Sequence, residues 1–489
     1  MSNFIKTLLL TVVIVSSIVV VNTMKLVPDE QVVPKPVAIK VNQQQAINHL
    51  ADILKFQTIS NQDPELMNGK AFTKMRSYLE QTYPLVFATL DNQIINQYSL
   101  LFKWQGKNPQ LKPILLLAHQ DVVPVAEENR SSWTHPPFAG VIDEHYIWGR
   151  GALDDKSSLV AIFESITLLL NEDFQPERTY YFAFGHDEEI GGTQGAAKIA
   201  QLLKSQNIEL EFVLDEGGLI ADGLIPGIEP AVALVGIAEK GYVSLKLSIK
   251  QEGGHSSMPP KQTAIGYLSQ AIVALEANPL PADSSQSMML FSKIAPYMSF
   301  TKRLVFANTW LTGSLIEKQL ANNKLTNSMI RTTTATTMIN AGVKENVLPV
   351  SATAIVNFRI LPGDTPESVR DFVIKVIGNP DIKVTPTKVG REPSKVSNHQ
   401  SDSFKLLEKT IHQANGGGKA LVVAPYLVMA GTDSRNFEII SDDIYRFLFN
   451  YAVPDDVKRI HSIDERISKE NFIKVIGFYF QLIKNSDDL

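Results

Sequence analysis

The sequence predicts an α/β protein: a mostly parallel sheet covered by helices, interrupted by an inserted α+β domain. Three observations carry this. Short apolar runs alternate with amphipathic stretches over residues 44–237, the texture changes near residue 238 to two-residue alternation, and the first texture returns over 388–489. Strand–helix–strand alternation implies a largely parallel sheet with both faces covered. The organisation that follows is an N-terminal apolar segment (1–24), a linker (25–43), a main domain in two parts (44–237 and 388–489) and the insert (238–387) between them.

Composition narrows the class of molecule. The chain is 44% hydrophobic and 20% charged, which fits a folded globular protein. A net charge of −5 argues against a nucleic-acid partner. With no cysteine, thiolate nucleophiles, disulfides and Cys-based zinc sites are excluded, so any metal must be held by His and carboxylates.

In chain order, "MSNFIKTLLLTVVIVSSIVVVNTMK" carries eighteen uncharged residues from Thr7 to Met24. Its strongly apolar part, Leu8 to Val21, is short against the ~20 residues of a bilayer span and suits a signal-peptide core equally well. The expectation is export, with the chain either anchored in the membrane by this segment or periplasmic or secreted after cleavage. The three prolines of "KLVPDEQVVPKPVAIKV" mark an extended linker. "QQAINHLADILKF" opens the main domain as a helix. "PILLLAH", "RTYYFAFGH" and "LEFVLDEGG" read as buried strands with polar ends. "KSSLVAIFESITLLLNED" places Leu159, Ile162, Phe163, Ile166 and Leu169 at helical spacing. "TQGAAKIAQLLKSQN" is a further helix.

"KGYVSLKLSIKQEGG" puts Val243, Leu245, Leu247 and Ile249 on one face and polar residues on the other, as in a half-exposed antiparallel strand. "SATAIVNFRILPGDTPESVRDFVIKVIG" reads as strand, turn, helix. The Met- and Phe-rich "SMMLFSKIAPYMSF" (287–300) could receive an acyl chain, or could pack as core of the insert or as a dimer contact. "NGGGK" at 415–419 lacks the spacing and Ser/Thr of a phosphate loop.

Polar clusters fall where strands end, which is where such sheets bind ligands. "AHQDVVP" puts His119 and Asp121 on one side of an extended segment, an arrangement that suits a histidine whose ring is oriented by a neighbouring carboxylate. "GRGALDDK" offers Asp154 and Asp155 ahead of a helix, where capping is the ordinary use of Asp. "GHDEE" and "LDEGG" add two further acidic clusters. Acids converging in this way repel one another unless a cation sits among them. Zinc accepts His nitrogen and carboxylate oxygen and leaves a position for water in catalytic sites. The neighbouring glutamates of "GHDEE" can then divide the work, one coordinating and one taking a proton.

In this order, "HQDVVP", "GRGALDDK", "GHDEE", "LDEGG", "GGHSSMPP" and "AGTDSRNF" resemble the di-zinc exopeptidases and amidohydrolases of the aminoacylase and carboxypeptidase S type. The likeness is strongest to the carboxypeptidase S and N-fatty-acyl-amino-acid hydrolase branch and runs over nearly the whole chain after the linker. It implies a catalytic α/β domain of the zinc-exopeptidase type with an inserted lid, through which a homodimer could form. It implies two Zn2+ per chain, with Co2+ or Mn2+ able to substitute. His119, Asp154 and Asp215 would hold one, and Asp154, Glu189 and His461 the other, with Asp154 bridging and preceding a cis peptide. Glu188 would be the general base, Asp121 the residue orienting His119, and His255, Asn346 and Arg435 substrate contacts. His186 and Glu216 receive no role beyond packing or hydrogen bonding. The implied activity is hydrolysis of an amide next to a free carboxylate, as a metallo-carboxypeptidase acting on small peptides. The alternatives are an N-acyl amino acid amidohydrolase and a non-catalytic binding protein on the same fold.

Overall fold

The computed structural model describes residues 3–28, 35 and 39–489, so part of the 25–43 linker lies outside the described residues. The chain opens with α1 (Asn3–Lys25), which extends past the strongly apolar run at both ends. At 1.5 Å per residue its 23 residues span about 35 Å, so by length and composition it can cross a bilayer.

The main sheet follows: β1 (Asp91–Ile95), β2 (Ser99–Trp104), β3 (Ile114–His119), helix α2 (Lys156–Asn171), β4 (Tyr180–Gly185), β5 (Phe212–Asp215), β6 (Ile220–Ala221) and β7 (Ala231–Glu239). The chain then leaves this sheet through β8 (Gly241–Lys250), α3 (Ala264–Ala277), α4 (Ser285–Ile294), α5 (Phe300–Ala307), α6 (Thr309–Ala321), β9 (Thr333–Ala341), β10 (Ser351–Ile360), α7 (Pro366–Ile377) and β11 (Lys383–Pro386). It returns with β12 (Leu421–Val428), β13 (Ile444–Arg446), β14 (Tyr451–Ala452) and α8 (Lys469–Asn485).

The main sheet has ten strands in the order β1-β2-β4-β3-β5-β13-β7-β6-β14, with β12 also paired to β7. Its centre is parallel, β4, β3, β5 and β13 running together. β3, β4 and β5 are buried along their whole length, as strands covered on both faces must be. Ile114, Leu116, Phe182 and Leu214 face α2 and α8, whereas Leu115, Leu117, Ala183 and Val213 face the helix at 196–205. Because the three strands run the same way, the polar residues at their carboxyl ends emerge along one edge.

A second sheet, antiparallel in the order β9-β10-β8-β11, is formed by residues between 241 and 386. Val243, Leu245, Leu247 and Ile249 of β8 bury one face under α3 and α7. The Met- and Phe-rich stretch lies within the same bounds but belongs elsewhere. Leu290 and Ile294 of α4 pack with Val232 and Val422 of the main sheet. This part of the stretch is core joining the insert to the main sheet, and its buried apolar residues are already covered.

Candidate metal centre

Five ligand-type side chains meet at the carboxyl edge of the parallel strands. His119 closes β3, Glu189 follows β4 and Glu216 follows β5, while Asp154 precedes α2 and His461 comes from the loop before α8. The Nε2 of His119 lies 2.7 Å from Asp154 Oδ1 and 3.5 Å from Glu216 Oε1. The Nε2 of His461 lies 3.0 Å from Asp154 Oδ2 and 3.1 Å from Glu189 Oε2. Two three-residue groups therefore share Asp154, one carboxylate oxygen turned to each histidine, and within each group the ligand atoms lie inside 4.8 Å. His461 holds a left-handed backbone at φ 59°, a conformation that costs a non-glycine residue about 1–2 kcal/mol. The Asp154–Asp155 peptide is cis.

One residue differs from the sequence expectation. Asp215 does not join the His119 group, and Glu216 stands there instead. Asp215 accepts a hydrogen bond from the Ser434 backbone N–H at 2.8 Å. The cause is strand register. Leu116 of β3 pairs with Leu214 of β5, so Asp215 is level with Leu117, two residues behind His119. Glu216 sits one residue further on and is one methylene longer.

Asp121 is fully buried and serves the neighbouring loop as much as the histidine. Its carboxylate accepts from the backbone N–H of Glu188 and of Glu189, both at 3.1 Å, and from the Ser60 hydroxyl at 2.6 Å. His119 Nδ1 meets the Asp121 carbonyl oxygen at 2.9 Å and its carboxylate at 3.4 Å. Glu188 feels His119, Asp433, Glu216 and Asp154 electrostatically. The third acid of this turn, Asp187, accepts from the Gln194 and Gly195 backbone N–H groups. His186 packs edge-on to Phe72 and Tyr98 and bonds the Ser99 hydroxyl at 2.6 Å.

Burial and mutual repulsion set the charge states. Burial pushes the carboxyls of Glu188 and Glu216 well above the usual range, with neighbouring acids adding to it. Burial also acts on Asp154, but hydrogen bonds from His119 and His461 win and hold it low. Asp154 and Glu189 raise His461 to about 10. Burial opposes protonation of His119, yet Asp121, Asp154 and Glu216 together hold its pKa well above normal. Glu189 Oε1 is buried with no hydrogen-bond partner among the described residues. Two imidazoles, three carboxylates and an unpartnered buried oxygen fit zinc or a similar divalent ion.

His255 and Asn346 lie together on a small exposed ribbon, where His255 pairs with Val347 and the Ser256 N–H donates to the Asn346 carbonyl. Arg435 lies beside the acidic turn and donates to the Gly191 carbonyl at 3.1 Å. Its Nη1 is buried without a hydrogen-bond partner among the described residues.

Several residues near the centre carry little or no sequence signal. Arg391 comes to the same place as Arg435: a Cβ at Gly431 would meet Arg391 Nη2 and Arg435 Nη1, each at 2.5 Å. Burial, then repulsion from Arg435, lowers the Arg391 pKa to about 10. Glu465 is buried and accepts from Arg150 at 2.6 Å and from the backbone N–H groups of Gly151, Leu153 and Asp154, so it fixes the Asp154 loop. Asp433 is buried against Gly185 and Gly192, and any Cβ at either glycine would collide with its carboxylate. Its membership of "GTDSR" was the one signal available.

Comparison with known proteins comes to the same chemistry. Residues 115–485 match the sequence model of peptidase family M20/M25/M40. The chain is 41% identical over 442 residues to a probable carboxypeptidase S-like 2 of Dictyostelium discoideum, covering 90% of this chain and 84% of that protein. It is 40% identical over 448 residues to the N-fatty-acyl-amino acid synthase/hydrolase PM20D1 of Xenopus tropicalis, covering 91% and 86%. Among solved structures, the M20 family metallo-carboxypeptidase Sso-CP2 of Sulfolobus solfataricus superposes with a TM-score of 0.64 at 18% identity, over 91% of this chain and 99% of that one. This last likeness concerns the fold.

Proposed function

The chain belongs to peptidase family M20/M25/M40 and is a metal-dependent hydrolase; from that premise we propose that it cleaves an amide bond next to a free carboxylate, as a metallo-carboxypeptidase on small peptides. The observation that carries this is the pair of His–carboxylate groups sharing Asp154, with Glu188 within electrostatic reach of His119, Asp154 and Glu216. His119, Asp154 and Glu216 would hold one ion and Asp154, Glu189 and His461 the other, two Zn2+ per chain or Co2+ or Mn2+ in their place. When bound, such ions supply Lewis acidity and lower the pKa of water.

The chain's own residues do the rest. Glu188 takes a proton from the attacking water and gives it to the leaving amine, a task suited to a carboxyl whose pKa burial has raised. Asp121 fixes the Glu188 and Glu189 backbone. Arg435 and Arg391 receive the substrate carboxylate, because two adjacent guanidiniums repel until an anion comes between them. His255 and Asn346, exposed on their ribbon, would act on substrate bound at a neighbouring chain of a homodimer formed through the insert.

A second reading, N-acyl amino acid hydrolysis, shares every one of these steps and is favoured by the 40% identity to an N-fatty-acyl-amino acid synthase/hydrolase. The complete ligand set with its base argues against a non-catalytic binding protein. Through α1 the chain would be exported and held at a membrane. The test is turnover by zinc-loaded full-length protein on an N-blocked dipeptide, an N-oleoyl amino acid and the C-terminal amide of each. Cleavage of the free acids with loss of both amides is expected. Equal cleavage of acids and amides would refute the carboxylate requirement, and the ratio between the two acids decides between the readings.

A further inference from the structure

Asn308 stands between α5 and α6, is fully buried, and uses its side chain to hold the N-terminal helix. Its Oδ1 accepts from Asn22 Nδ2 at 3.1 Å, and its Nδ2 lies 3.2 Å from the Val19 carbonyl and 3.4 Å from the Thr23 hydroxyl. Thr23 is itself buried there. Val19 lies inside the apolar run Leu8 to Val21. The first turn of α6 is therefore level with the last apolar turn of α1, not beyond it.

That level matters because of what α6 exposes. Trp310, Leu311, Ser314 and Leu315 share one helical face, and Trp310, Leu311 and Leu315 are each more than half exposed, as is Phe300 at the start of α5. Lys302 and Lys318 are exposed nearby, and Lys25 ends α1. An apolar face with an aromatic anchor and basic residues along its edge has the composition of a helix lying in a membrane interface. A bilayer that holds Val19 to Val21 comes level with the start of this face.

We propose that the outer face of α6, with Phe300 of α5, is a bilayer-seating surface that dips into the interface beside α1 and holds the hydrolase body against the membrane. The proposal rests on α1 being retained as a membrane anchor and adds a second contact, on the insert. Its occupant is the lipid bilayer. A second copy of the chain is the competing occupant.

Tryptophan fluorescence tests it, because Trp104, Trp133 and Trp148 are buried and Trp310 is the exposed one of four. Full-length protein is reconstituted in phosphatidylcholine/phosphatidylglycerol vesicles with and without acyl chains brominated close to the headgroup. Flotation with the vesicles is expected, together with bromine quenching of one tryptophan's share of the emission that disappears in Trp310→Phe. In Leu311→Asp/Leu315→Asp the quenching should weaken at least twofold while flotation persists through α1. Flotation with equal quenching of wild type and Trp310→Phe would overturn the seating surface and leave the anchor standing. Failure to float would overturn both. Flotation without bromine quenching, but with a Trp310-dependent blue shift that grows with the number of chains per vesicle, would assign the face to a second copy and overturn the proposal.

Discussion

Two acidic pairs stand at the ends of neighbouring parallel strands and are used differently. After β4, Glu188 and Glu189 lie beyond Gly185, which is level with His119. Both residues therefore stand forward of the level of His119. After β5, Asp215 is level with Leu117 by register, about 6–7 Å behind His119 at 3.3 Å per residue. Only Glu216 reaches forward. Asp215 instead holds the Ser434 N–H, in a loop also tied down by Thr432 and Ser434 hydroxyls on Glu239, which is paired with buried Arg446 at 2.6 Å. That loop carries Arg435. The comparison teaches that the stagger of adjacent strands sets which acid of a pair comes level with the histidine, and the acid left behind can still support the loop next to it.

The largest effects should separate the members of the first pair. Glu188→Gln is expected to keep its metal and lose roughly 10²–10⁴ in turnover, the worth of a positioned general base. Glu189→Gln removes an anionic partner of His461 and should lose metal from that group, which elemental analysis of the dialysed variants reads directly. Metal loss in Glu188→Gln with retention in Glu189→Gln would exchange the two roles.

The second pair gives the sharper contrast. Glu216→Gln should deplete the His119 group of metal. Asp215→Asn should keep it and act on substrate, raising KM by about tenfold or more through the loosened Ser434 loop, since a hydrogen bond to a charged group is worth about 1.5–3 kcal/mol. The reverse pattern would return Asp215 to the ligand set and break the register argument.

These differences also mark what could be read from the sequence. The α/β class was legible because buried parallel strands make unbroken apolar runs and the second sheet makes strict alternation. His119 and Glu189 stand out because charge interrupts such a run where a strand stops. Glu216 was not legible, since adjacent acids look alike until the neighbouring strand fixes their level. Arg391 and Glu465 were invisible for a related reason. Neither lies at the carboxyl end of a parallel strand, and tertiary packing alone brings one to Arg435 and the other under the Asp154 loop. The bounds of the N-terminal segment, 1–24, were legible to within a residue or two of α1, although apolarity stops at Val21 while helical hydrogen bonding continues through polar Asn22 and Thr23.

A smaller effect is expected where the support of the second pair meets substrate. Arg391→Met removes one of two adjacent guanidiniums and should raise KM for free-acid substrates about tenfold with little change in kcat, the signature of lost uniform binding. Arg391→Lys restores charge but not the planar fork and should recover only part of it. A fall in kcat at constant KM would place Arg391 in the reaction itself rather than in carboxylate binding.

The smallest effect concerns the support of the first pair. Asp121 is fully buried, and its Oδ2 is shared by the Ser60 hydroxyl at 2.6 Å and the Glu189 N–H at 3.1 Å. Ser60→Ala removes a neutral donor from a buried carboxylate without opening a large cavity, for a stability loss of about 1–3 kcal/mol. In a protein of this size that is a fall of a few degrees in Tm. The remaining bonds from the Glu188 and Glu189 backbone still hold the turn, so metal content should stay at the wild-type value and turnover should fall only a few-fold. Thermal unfolding and elemental analysis of the same sample check this. If Ser60→Ala sheds metal as Glu189→Gln is expected to, the turn is held chiefly from Ser60 through Asp121, and the first pair depends on its support as closely as Arg435 depends on Asp215.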